Sequence, residues 1–169
     1  MKKSLLSALF FIGLFIITVP ISAQNHSIDA TLAELYQSIS FSPDNDPNYD
    51  AFETLFTDNS QLISVRDTSS ITMTPDDYRK AMTRQCREGK IISFVEKELH
   101  RKTEQYGPIL HIFSTYKTIL QTPDGRTIGR GINSIQMMKK DEQWKVVSLI
   151  WHEEDKAHPL PKKYLPKEK

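Results

Sequence analysis

Residues able to do chemistry gather in the last third of the chain. His111 stands between Leu110 and Ile112 at the head of an apolar run, where a neutral imidazole in a dry cavity could act as a general base. Tyr116, in the same run, carries a hydroxyl that could donate to a developing oxyanion. Arg130, Asn133 and Gln136 form a second polar set, and Trp151 opens a stretch, Trp151-His152-Glu153-Glu154-Asp155, that is dense in metal-ligand types. Strand alternation constrains how these groups combine. His111 and Tyr116 point to opposite faces, and Arg130 and Gln136 share a face that Asn133 opposes. Gly129 and Gly131 flank Arg130, and glycine inside a strand can mark a bulge that would relax this restriction. His111 and Tyr116 are therefore the catalytic candidates, and Arg130, Asn133 and Trp151 the candidate pocket residues.

Each candidate has a plainer reading. His111 fits a satisfied core or rim histidine, Tyr116 a packed ring, Arg130 a buried ion pair with a helix carboxylate such as Asp77, and Asn133 a strand-end hydrogen bond. The acidic stretch lacks an HExxH or paired-histidine spacing, and His100 and His158 stand at no recognised interval from it, so no metal site is expected there. Asp44, Asp46 and Asn48 begin like a calcium loop, but Tyr49 replaces its glycine and Leu55 its bidentate glutamate. Cys86 follows Tyr78 and Met82 at helical spacing and reads as a small core residue. Glu96 and Glu98, interleaved with Lys97 and followed by Arg101 and Lys102, read as an exposed strand face. No pattern calls for a cofactor.

The elements that must carry these residues follow from periodicity and turn chemistry. Lys2 and Lys3 precede an apolar run from Leu5 to Ile21, closed by Ser22-Ala23 and a polar Gln24, the pattern of a secretory signal peptide spanning residues 1–23. Its removal leaves 146 of the 169 residues, one ordinary domain, expected over residues 24–158, and an exported location, periplasmic or secreted. It also leaves 20 basic against 21 acidic residues, a balance that speaks against a nucleic-acid or anionic-membrane surface. With one cysteine the fold rests on its core. Ile28, Leu32, Leu35, Tyr36 and Ile39 predict an amphipathic helix from Ile28 to Phe41, and Tyr49, Phe52, Leu55 and Phe56 a short second one. Ser60 to Arg66 alternates as a strand. Thr74-Pro75-Asp76-Asp77 starts a third helix that Gly89 closes. From Ile91 to Glu154 four strands are separated by turns at Tyr106-Gly107-Pro108, Thr122-Pro123-Asp124-Gly125 and Lys140-Asp141-Glu142-Gln143. Residues 159–169, rich in proline and lysine, read as a surface tail.

Helices followed by a meander predict an α+β domain with a curved antiparallel sheet wrapped around three N-terminal helices. Several separated phrases carry a resemblance over about residues 28 to 166: Pro47-Asn-Tyr-Asp-Ala-Phe-Glu-Thr-Leu-Phe, Phe94-Val-Glu-Lys-Glu, His111-Ile-Phe-Ser-Thr-Tyr, Arg130-Gly-Ile-Asn-Ser-Ile-Gln, Trp144-Lys-Val-Val-Ser-Leu-Ile-Trp and Pro159-Leu-Pro-Lys-Lys-Tyr-Leu. The chain resembles the nuclear transport factor 2-like (cystatin-like) superfamily, in its SnoaL-like branch. The resemblance implies a cone-shaped barrel with an internal cavity, often paired as a homodimer. It implies no single reaction, because relatives include ketosteroid isomerase, scytalone dehydratase, polyketide cyclases and limonene epoxide hydrolase beside proteins that only bind or dimerise. The expected function is binding of a small apolar or amphipathic molecule, with pairing through the outer sheet face. The alternative is cofactor-independent isomerisation, dehydration or cyclisation in the same cavity.

Overall fold

The computed structural model describes residues 27–167, so the signal-peptide reading falls outside the described residues. The first helix, α1 (Ile28–Ile39), starts where the Ser27 hydroxyl accepts from the Ala30 amide and buries Leu32, Leu35, Tyr36 and Ile39 on one stripe. It ends two residues before Phe41, whose backbone instead bridges to Phe94. A short α2 (Tyr49–Thr54) is capped by Asn48 and turns directly into β1 (Phe56–Arg66), so Phe56 belongs to the strand and not to the helix. After a hairpin strand, β2 (Ser69–Met73), α3 (Pro75–Arg87) begins with a capping box between Thr74 and Asp77 and is followed by Gly89 at φ +68. The meander is β3 (Ser93–Tyr106), β4 (Ile109–Thr122), β5 (Gly125–Lys140) and β6 (Gln143–Glu153). Among the described residues no helix is long and apolar enough to cross a membrane.

The six strands form one sheet in the order β2-β1-β6-β5-β4-β3. The expectation of an antiparallel sheet holds for the meander and the β1–β2 hairpin, but β1 lies parallel to β6, which makes the sheet mixed. β2 escaped the sequence reading because Ser69-Ser70-Ile71-Thr72-Met73 is mostly exposed and is held by backbone pairing with β1. One extra residue, Leu99 in β3 and Val147 in β6, bulges each of those strands and sharpens its bend. The concave face folds over the helices: α1 lies on β3, α3 on β1 and β2, and Leu32, Phe52, Leu62, Ile112, Ile135 and Val146 meet in the core.

The tail runs back over the convex face. A single 3-10 turn, Lys162–Tyr164, sets the Tyr164 ring 5.1 Å from Phe113, and the Thr115 hydroxyl donates to the Tyr164 carbonyl at 2.5 Å.

Candidate functional site

The alternation argument places the candidates. On β4 the buried inner set is Leu110, Ile112, Ser114 and Tyr116, so His111 faces outward with Phe113 and bonds Ser134 at 3.2 Å. Tyr116, Asn133 and Trp151 line the interior cavity; His111 and Arg130 do not. Pairing between β4 and β5 runs without a break through Gly129 and Gly131, so the bulge that could have turned Arg130 inward is absent. Arg130 lies on the convex face and pairs with Glu154 at 2.7 Å, while the Asp77 once expected as its partner is taken up by Thr74 at the helix cap. Gln136 is exposed. Cys86 is half-buried, and desolvation pushes its thiol upward, the reverse of what a reactive thiolate needs.

The two glycines have another use. A Cβ on Gly131 would stand 2.4 Å from the Tyr116 hydroxyl and 2.4 Å from the His152 carbonyl, and one on Gly129 would stand 2.2 Å from Glu153 Oε1. Glycine at both positions leaves room for the Tyr116 ring to lie across β5 and for the Glu153 carboxylate to reach over the sheet.

The cavity measures about 430 Å³, within the range of small-molecule sites, and Leu35, Phe52, Leu62, Met82 and Leu149 supply much of its apolar wall. Among its polar groups are Tyr36 from α1, Arg66 from β1, Tyr78 from α3, Glu96 from β3, Tyr116 from β4, Asn133 from β5 and Glu153 from β6. Glu96 corrects the sequence reading, which placed it on an exposed face. The inner positions of β3 start with Phe94 and Glu96, and curvature brings this edge of the sheet against α1, where Phe41 bridges to Phe94. Desolvation by burial raises the Glu96 carboxyl to about 7, against a smaller lowering by its hydrogen bond from Asn133.

Hydrogen bonds fix the direction of this network. Ser114 donates to Glu98 at 2.6 Å, so the 2.7 Å contact between Tyr36 and Ser114 must have Tyr36 as donor. The Tyr36 oxygen then accepts from the Asn133 amide at 3.1 Å, and the same amide nitrogen donates to Glu96 at 3.1 Å. Asn133 is 4% exposed and holds both partners at once. Glu98 is closed off by Arg101 at 2.9 Å. The Tyr116 hydroxyl, by contrast, has no hydrogen-bond partner among the described residues. Burial, then the charges of Glu96 and Glu153, hold that phenol protonated well above its ordinary range, so it is a free donor facing the cavity. A carboxyl that titrates near neutrality, a free hydroxyl donor and an apolar wall can accept a proton and stabilise the charge left behind.

The chain matches no protein-family model and no curated protein. Among solved structures it is similar to a function-unknown protein from Mycobacterium tuberculosis, at 18% identity over 75% of this chain and 69% of that one, TM-score 0.59. A hexachlorocyclohexane dehydrochlorinase from Novosphingobium barchaimii matches at 8% identity over 76% and 84%, TM-score 0.60. A scytalone dehydratase-like protein from Novosphingobium aromaticivorans matches at 16% identity over 64% and 72%, TM-score 0.51. At these identities the likeness is one of fold alone, a curved sheet folded over three helices, and another neighbour, from Nostoc punctiforme, is described as having a cystatin-like fold.

Proposed function

We propose that the cone binds a small, largely apolar molecule and moves a proton on it without a cofactor, with Glu96 as general base and the Tyr116 hydroxyl as the donor to the developing negative charge. The observation that carries this reading is Glu96 itself, a carboxyl raised to about 7 inside a mainly apolar cavity and aimed by Asn133. A base is most effective when its pKa lies near the working pH, and this environment supplies that match. Isomerisation and elimination both begin with such a step, and the names of two structural neighbours, a dehydratase and a dehydrochlorinase, describe eliminations. The same cavity supports the simpler reading of ligand binding alone, since most of its wall is apolar. Pairing of two copies and export remain part of the proposal. Exposed Ile109, Met138 and Ile150 on the convex face, beyond the reach of the tail, support the pairing.

Native mass spectrometry of the protein, followed by NMR in deuterated water of any compound it retains, separates the readings. Glu96-dependent exchange of a ligand C–H proton, lost in Glu96→Gln, supports proton transfer. Retention with no exchange above the solvent rate reduces the cone to a binding site.

A further inference from the structure

Three side chains close in sequence and a fourth far from them meet on the convex side of the sheet. Asp67 comes from the turn between β1 and β2, His152 from the end of β6, and Asp155 and His158 from the segment that follows. One ligand-type atom from each lies within 4.8 Å of all the others. Asp155 Oδ1 accepts from the Ala157 and His158 amides at 2.7 Å each, which turns the chain so that the His158 ring comes to 5.1 Å from His152, nearly perpendicular to it.

His152 carries the argument. Its Nδ1 is 3.0 Å from the Val65 carbonyl, and a carbonyl can only accept, so Nδ1 holds the proton. In the neutral ring Nε2 is then a lone pair. That atom is buried, has no hydrogen-bond partner, and faces an Asp155 oxygen at 3.6 Å, an acceptor set against an acceptor. A cation between them resolves the conflict. A backbone carbonyl on the far nitrogen is the arrangement that orients a metal-binding histidine. His158 Nδ1 is 3.2 Å from Asp155 and 3.7 Å from Asp67. Ligands about 2 Å from a tetrahedral zinc ion stand about 3.3 Å apart, so these separations need only small side-chain adjustments to close on one ion.

We propose that His152, His158, Asp155 and Asp67 form a site for a divalent transition metal of the zinc class, two imidazoles and two carboxylates being a donor set suited to such ions. The ion fastens the β1–β2 turn to the segment leaving β6. It lies on the opposite face of the sheet from the cavity and is independent of the proton-transfer proposal. The proposal departs from the expectation of no metal site, which was drawn from sequence intervals, because the fourth ligand, Asp67, is brought to the other three by strand pairing between β1 and β6 and not by local spacing.

The test is equilibrium dialysis of the protein, first freed of metal with a chelator, against zinc, with metal quantified by mass spectrometry. One ion per chain is expected, with a higher melting temperature in zinc. His158→Gln alters a largely exposed side chain and is not expected to disturb the fold. It should weaken binding at least about tenfold, as should His152→Gln, whereas His100→Gln, outside the cluster, should not. Fewer than one ion per ten chains would overturn the proposal, as would equal binding by the wild type and a His152→Gln/His158→Gln double variant.

Discussion

Replacing Glu96 by Gln should make the protein more stable at neutral pH and leave it nearly unchanged in acid. The folded carboxyl titrates at about 7, against 4.5 for the free side chain, because the cavity disfavours its charge. A carboxyl whose folded pKa is raised holds its proton more tightly in the native state, so its stability contribution is complete below 4.5 and is lost as pH rises to about 7. At about 1.4 kcal/mol per unit, that window corresponds to about 3 kcal/mol. The glutamine keeps an oxygen for the Asn133 amide and has no charge to lose. Urea unfolding of both proteins at several pH values between about 4 and 8, followed by the fluorescence of Trp144 and Trp151, yields the difference directly, and titrations common to both proteins cancel. The difference should grow through the window and level off above it. Parallel curves would show that Glu96 is ionised in the folded protein at ordinary carboxylate pH, and the base assignment would fall.

Further expectations follow from named contacts. Tyr116→Phe should leave the melting temperature near wild type, since the hydroxyl is unbonded, and slow turnover of an identified substrate by roughly 10²–10³ if it stabilises an oxyanion. His111→Ala, altered on the convex face, should leave that turnover unchanged. Gly131→Ala should cost about 1–3 kcal/mol in a denaturant titration, because the new methyl collides with the His152 carbonyl as well as with the Tyr116 ring. Glu142→Gly should add about 1 kcal/mol, since the β5–β6 turn holds Asp141 and Glu142 at φ 50 and 61, left-handed values that glycine adopts freely.

The helix starts, the turns and the opposed faces of His111 and Tyr116 could be read from the chain because they rest on local chemistry: a Thr-Pro-Asp-Asp cap, glycine and proline between apolar runs, and strand alternation. Glu96 could not. Lys97, Glu98, Arg101 and Lys102 surround it, and nothing local says that α1 will close over the inner face of β3. Trp151 needed luck as well as parity, because the extra residue at Val147 exchanges inner and outer positions along the rest of β6. The four convex ligands were further out of reach: Asp67 lies 85 positions before His152, and the parallel pairing that joins them has no signature in either strand.

That parallel pairing also sets an order of events. β6 follows the other described strands in the chain, yet it sits between β1 and β5, so the hairpin made first has no neighbour on its inner edge until β6 is made. Loop closure over that distance is slow compared with local pairing, and a chain stopped before Trp144 would present β1 and β5 as two open edges. Closure of the sheet therefore waits for β6, and the chain made without it is the form most exposed to aggregation.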